Sequence, residues 1–362
     1  MKFLILALCS LITASHASDL PIKFGGFIDT YYAYDFNNPH DHEREFTTQP
    51  VRHNEFNVNM AYFDAVLKQD KTRGRLALQF GQSVTKNSSS EPNQGKTSGS
   101  LDAKMFQEAY VGKKMGTKTW IDAGIFLGNI GAESWISKDN WTYTRALNLD
   151  YVPYYSAGVR LEHHLNDDQS FQLQILNGWQ IMSENNQGKA LGGQYKHLIT
   201  KNIIFTYNNF LGDEKVVPNP RTGKFNSRFR GYHNTILQWM KSDKWHFLTS
   251  LDFGHQSQQN NDGIDGWLAS TLTIKNILNQ LQSVAMRFEY YNDRHQSNVS
   301  TSSPNGFQVV GASLNFDQKL DENALWRTEL RGFSSKDKIY PTGKNDKNRL
   351  DGFLVTSLSM WF

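Results

Sequence analysis

The sequence predicts an all-β protein, a transmembrane antiparallel β-barrel of about 16 strands with one loop folded inward; 14 and 18 are the neighbouring counts. Three observations predict it. Long segments alternate apolar and polar residues one by one, the period of a strand with one face in lipid and the other in water. Only 38% of residues are hydrophobic although 13% are aromatic, and no stretch approaches the ~20 apolar residues that a membrane helix needs. The connections alternate between short and long, the rhythm of barrels with turns on one side and loops on the other.

Residues 1–17 read as an export signal. Lys2 precedes an apolar run from Phe3 to Ala14, and Ser15-His16-Ala17 offers small residues at the positions a signal peptidase reads, so cleavage is expected after Ala17. The run is too short to span a bilayer. Cys9 is the sole cysteine and has too short a lead-in for a lipoprotein signal, which leaves residues 18–362 without a thiol or a disulfide framework.

The strands follow in order. In the first, Ile28, Thr30, Tyr32, Tyr34 and Phe36 oppose Asp29, Ala33 and Asp35. In the second, Phe56, Val58, Met60 and Tyr62 are assigned to lipid and Glu55, Asn57, Asn59 and Ala61 to water. The third sets Leu76, Leu78 and Phe80 against Arg75, Gln79 and Ser83. The segment 283–293 is the clearest: Val284, Met286, Phe288 and Tyr290 alternate with Arg287, Glu289 and Tyr291. In all, the expected strands are 23–35, 54–67, 74–84, 103–113, 118–127, 147–163, 170–182, 190–199, 203–212, 229–240, 245–255, 265–275, 283–293, 306–316, 324–333 and 350–362, of which 103–113 and 265–275 alternate poorly. Connections at 68–73, 115–117, 166–168, 200–202, 241–244 and 317–323 are short; those at 36–53, 85–101, 128–145, 212–228, 293–305 and 334–349 are long. An even count leaves both ends on the short-turn side. A barrel this wide holds an aqueous channel, whereas eight strands would fill with side chains.

The last strand carries a further signal. Leu350, Leu354, Leu358 and Met360 share one face, Asp351, Ser357 and Ser359 the other, and Phe362 closes the strand. A terminal aromatic in this setting resembles the mark that bacterial barrel-insertion machinery reads, so that machinery and outer-membrane lipid are expected partners.

The loop at 128–147 does not read as a simple surface connection. It carries Trp135, Ile136, Trp141 and Tyr143 among Glu133, Lys138, Asp139 and Arg145, and such aromatics are costly on an exposed tip. Inward folding after the fifth strand is expected.

With these segments in hand, the chain resembles the type-two, OmpL-like family of bacterial β-barrel porins. The resemblance lies in Gly26-Phe27-Ile28-Asp29-Thr30-Tyr31-Tyr32-Ala33-Tyr34-Asp35-Phe36-Asn37-Asn38-Pro39, Asn54-Glu55-Phe56-Asn57-Val58-Asn59 and Gln107-Glu108-Ala109-Tyr110-Val111-Gly112. It continues in Asp122-Ala123-Gly124-Ile125-Phe126, residues 133–145, Pro153-Tyr154-Tyr155-Ser156-Ala157-Gly158-Val159 and Ile175-Leu176-Asn177-Gly178-Trp179-Gln180. It implies a bacterial outer-membrane diffusion channel for small hydrophilic solutes, with no enzymatic activity and no cofactor. Porins of this width are often trimers, so a homo-oligomer is compatible with it.

Little else points to chemistry. His163 and His164 are adjacent on a strand and so face opposite ways, a poor metal site. A barrel hydrolase is the alternative, with His53, His255 and His295 as rim candidates in no recognisable motif, and an adhesin or structural barrel is a third reading. Net charge is +3, or +2 without Lys2 (37 basic and 35 acidic), with no basic stripe, so nucleic acid is not an implied partner. The informative charges are those that parity turns inward: Arg287 and Glu289, then Arg327, Glu329 and Arg331. Counted around a ring of 16, they stand opposite the loop bearing Glu133, Lys138, Asp139 and Arg145. The expectation is a constriction with a transverse field between basic and acidic walls. Facing water, Glu289 is expected to tolerate neutralisation.

Overall fold

A computed structural model describes residues 21–91, 103–184, 186, 188–214, 228–258 and 263–362. The expected export signal and the stretches 92–102 and 215–227 of two long connections lie outside the described residues. Sixteen strands close into one antiparallel barrel. They are β1 Ile22–Asp35, β2 Phe56–Lys68, β3 Thr72–Phe80, β4 Phe106–Met115, β5 Thr119–Leu127, β6 Tyr155–His164, β7 Gln169–Leu176, β8 Ala190–Thr200, β9 Ile203–Asp213, β10 Phe229–Met240, β11 Trp245–Ser257, β12 Ile264–Ile277, β13 Gln282–Asp293, β14 Phe307–Asp321, β15 Ala324–Ser335 and, after a small hairpin of β16 Tyr340–Thr342 and β17 Asp346–Asn348, β18 Leu350–Trp361. No helix among the described residues is long and apolar enough to cross a membrane. Closure leaves no sheet edge, which a lipid-embedded sheet requires because hydrocarbon offers backbone groups no partner.

Each expected strand has its counterpart, and alternation sets its faces. On β18, Leu350, Leu354, Leu358 and Met360 are exposed on the outside, while Asp351, Phe353, Val355, Ser357 and Ser359 are buried within. On β13, Met286, Phe288 and Tyr290 face out; Arg287, Glu289 and Tyr291 face in. The poorly alternating β12 obeys the same rule, turning Leu268 and Leu272 outward and Trp267, Ala269, Thr271 and Thr273 inward.

The expected faces of β2 need correction. A register shift opposite Asp29 and Thr30 inserts Asn59 as an extra residue, and one extra residue swaps every later side chain to the other face. Met60 and Tyr62 therefore point inward, Tyr62 packing beside Phe27, and Phe63 takes the outer face. The signal was present: uninterrupted parity would have put Asp64 in lipid and Phe63 in water. Five strand bounds also differ by three residues or more. Residues 103–105 form a 3-10 turn ahead of β4, and β14 runs on to Asp321 into the expected short connection. Residues 82–84 begin a short helix, α1 Gln82–Asn87, rather than extending β3. Residues 147–154 and 177–182 belong to connections, not to β6 and β7.

The seam between β1 and β18 ends on Phe362. Its amide donates to the Gly26 carbonyl at 3.1 Å and its carbonyl accepts from the Gly26 amide at 3.2 Å. The ring lies where a Gly26 side chain would stand, since a Cβ there would meet it at 2.5 Å.

The inward loop and the lumen wall

The loop at 128–154 leaves β5 and enters the barrel. Trp135, Ile136, Tyr143, Ala146, Leu147 and Leu149 are buried, so the aromatics that made an external tip implausible are packed inside. Trp135 donates from its indole to Ser83 Oγ on α1 at 2.9 Å and stacks edge-on against Tyr154. The Ser137 hydroxyl donates to Asp29 on β1 at 2.9 Å. The Gly131 amide reaches Asn234 on β10 at 3.3 Å, and Asn148 donates to Ser250 on β11 and accepts from Thr271 on β12. One connection thus touches walls on opposite sides of the lumen.

The inward charges of β13 and β15 hold this loop by its backbone. Arg327 donates to the carbonyls of Ser137 at 2.5 Å, Asn140 at 2.6 Å and Thr142 at 3.1 Å, and pairs with Asp317 on β14 at 3.0 Å. Arg287 donates to the Thr142 hydroxyl and the Thr144 carbonyl and lies within 3.5 Å of Glu133 and Glu329. Glu329 accepts from the Thr144 amide at 2.7 Å, and Glu289 from the Leu147 amide at 2.6 Å and from Arg331 at 2.8 Å. Charged hydrogen bonds of this kind contribute about 1.5–3 kcal/mol each. They also make the groups interdependent, because removing one partner strands a buried charge.

The expected site residues therefore fall into two groups. Glu133, Arg145, Arg287, Glu289, Arg327, Glu329 and Arg331 are buried, with the Arg145 guanidinium 3.9 Å above the Tyr154 ring. Lys138 and Asp139, paired at 2.7 Å, retain solvent contact on the short-turn side of the loop. Opposed basic and acidic walls facing each other across water are not what the fold produces: the loop crosses the lumen and brings Glu133 to 3.5 Å from Arg287, so these charges meet in contact. Burial raises the Glu133 carboxyl above its usual range, with Arg287 and the Ala146 amide pulling the other way; burial likewise raises Asp150, against Arg331 and the Thr48 hydroxyl.

A second set of charges went unrecognised. On the wall from β2 to β6, Arg73 binds Asp122 at 2.7 Å and Glu162 at 2.9 Å, Arg160 binds Asp122 at 2.8 Å, and Arg75 binds Asp64 at 2.7 Å and also Glu108. These arginines lie over Trp120, Tyr62, Tyr110 and Phe126. Gly112 makes room for the first pair, since a Cβ there would meet Asp122 Oδ1 at 2.1 Å. Unlike the loop anchors, these side chains keep partial solvent contact: Arg73, Arg75 and Arg160 are 22%, 18% and 16% exposed, against 0% for Arg287 and Arg331. The inward parity of Arg75 was readable, but not its partners on β2 and β4.

The histidines are structural or external. His53 is buried, accepting from the Asp35 amide at 2.9 Å and facing Asn38 Oδ1 at 3.0 Å. His255 lies where a Gly231 side chain would stand, and His295 sits 3.5 Å from Asp265. None of the three has a serine among its hydrogen-bond partners among the described residues. His163 faces Thr119 Oγ1 at 2.7 Å, whereas His164 lies 3.7 Å from Glu162. No group of residues among those described has the make-up to hold a metal ion.

The family model described as "Putative beta-barrel porin-2, OmpL-like" matches residues 21–362. No relative among curated proteins matches the sequence. Among solved structures, the chain is similar to the outer membrane channel DcaP of Acinetobacter baumannii, at 9% identity and a TM-score of 0.62 over 94% of this chain and 97% of that one. It is similar to an anion-selective porin from Comamonas acidovorans, at 10% identity and 0.60 over 94% and 99%. It is also similar to the trimer form of in-vitro folded OmpT, an outer membrane protein of Vibrio cholerae, at 11% identity and 0.58 over 94% and 99%. At such identities the likeness speaks for the fold alone.

Proposed function

Since the chain belongs to the OmpL-like β-barrel porin-2 family, we propose that it is a passive diffusion channel of the bacterial outer membrane for small hydrophilic solutes, without chemistry of its own. The observation that carries this reading is the division of the lumen. The loop at 128–154 is clamped to β13–β15 by buried arginines, while Arg73, Arg75, Arg160 and Glu162 on β2–β6 keep partial contact with solvent. Water and solute pass between that wet wall and the loop. Lys138 and Asp139 line the passage; Glu133, Arg145, Arg287, Glu289, Arg327, Glu329 and Arg331 fix its width by holding the loop. The ring of charge around the passage is mixed, with Arg73, Arg75 and Arg160 against Asp64, Glu108, Asp122 and Glu162, which supports weak discrimination between ions and room for neutral solutes.

The short turns and both strand ends at the β1–β18 seam lie on one side, which this reading assigns to the periplasm. A trimer form is recorded for the similarly folded OmpT of Vibrio cholerae, and a homo-oligomer is part of the proposal here. The test is swelling of liposomes reconstituted with the purified barrel. Swelling should be fast in arabinose, slower in sucrose and absent in raffinose-sized or larger solutes; a barrel that gives no swelling with arabinose overturns the proposal.

A further inference from the structure

We infer that the cavity beneath the inward loop is a docking site for small organic anions at the short-turn entrance to the passage, a reading that rests on the diffusion channel proposed above. The cavity measures about 380 Å³ and lies between loop residues 138–141 and the short-turn ends of β12–β15. That volume suits a small solute, and sites of this kind combine apolar walls with a few convergent polar groups. The apolar walls include two indoles, Trp141 from the loop and Trp361 from β18, beside Ile277, Leu281 and Leu325.

Its charge is unbalanced. Lys138, Lys275, Lys319 and Arg327 line it against Asp139 and Asp317, four cations and two carboxylates, hence +2. The available cation is Lys275. Arg327 is committed to Asp317 and to three loop carbonyls, and Lys138 is held by Asp139. The carboxylate oxygen beside Lys275 is Asp317 Oδ2 at 3.9 Å, beyond hydrogen-bond distance, and Asp317 is already engaged by Arg327 and by the Asn315 amide at 2.6 Å. Only 18% of the Lys275 side chain is exposed. An ammonium that has lost most of its water without gaining a close counter-ion interacts more strongly with an incoming anion than an exposed lysine would. Lys319, exposed at the mouth, adds to the attraction. The ligand class follows: a carboxylate for Lys275 joined to a flat, weakly polar body for the indoles. A neutral molecule of the same shape would contact Trp141 and Trp361 but leave Lys275 unmatched.

The experiment is single-channel recording in symmetric potassium chloride with sodium benzoate added on the short-turn side, and benzyl alcohol as the neutral control. Benzoate should reduce the open current saturably, and benzyl alcohol should not. Lys275→Gln should raise the half-blocking benzoate concentration about tenfold, the scale of one lost charged contact, and Trp141→Ala should raise it as well. Should Lys275→Gln fail to fold, Lys319→Gln at the exposed mouth should give a smaller shift in the same direction. Equal block by both probes, or a half-blocking concentration unmoved by these substitutions, overturns the docking site while the open steps leave the channel standing; a wild-type barrel without open steps overturns both.

Discussion

Phe288 and Glu289 are neighbours in sequence with opposite surroundings. Phe288 is 46% exposed on the outer wall, where an arginine would have to enter hydrocarbon. Phe288→Arg is therefore expected to destabilise the barrel by roughly 2–4 kcal/mol. Parity alone suggested that Glu289, facing water, could be neutralised at little cost. The structure reverses this, because Glu289 accepts from Arg331 and from the Leu147 amide with almost none of its side chain exposed. Glu289→Gln leaves Arg331 buried without its carboxylate, a loss of about 3–5 kcal/mol. Urea unfolding of both variants in lipid vesicles checks the pair. If Glu289→Gln unfolds with the wild type, the loop is not anchored where it is described.

At the scale of the strand, β18 closes the barrel and Phe362 closes β18. Phe362→Ala should lower the yield of folded, heat-modifiable barrel in cells, because the terminal aromatic is the feature that insertion machinery is expected to read. Gly26→Ala separates recognition from packing: its methyl group displaces the Phe362 ring but leaves it present. The account expects Gly26→Ala to assemble normally, and equal defects in the two variants would make the ring a packing element instead.

Strands were legible where a period-two pattern ran uninterrupted, which explains why β13, β15 and β18 were placed with correct faces. Boundaries failed at 147–154 and 177–182, where apolar residues continue past the strand because they pack inside the lumen rather than against lipid; hydrophobicity does not distinguish those two destinations. The bulge at Asn59 has no glycine or proline beside it to mark its place, and its trace in the sequence is the switched parity of Phe63 and Asp64 further along the strand. Within the site, inward parity exposed Arg287, Arg327 and Arg331, yet Arg327 holds three loop carbonyls and Arg287 the Thr144 carbonyl, and a backbone acceptor leaves no trace in sequence. Lys275 was overlooked on a strand whose alternation is weak.

For the whole molecule, the question is which charges the permeating ions meet. Arg73→Gln combined with Arg160→Gln leaves Asp122 and Glu162 without their cations on the wet wall. Reversal potential in a salt gradient should then move toward cations. Arg331→Gln, a change to a group with no exposed side-chain surface, should move it far less, because a charge sealed among protein partners acts on the passage at longer range than one at its surface. The opposite order would place the water path along β13–β15.

The central claim is that an open channel exists and that the loop at 128–154 sets its width. Single-channel conductance of the wild type beside a variant lacking residues 135–141 tests it most directly, since the narrowest segment dominates the resistance of a water-filled pore. The wild type should show discrete open steps, and the deletion should show larger ones. A wild type without steps, or a deletion variant of unchanged conductance, would contradict the account.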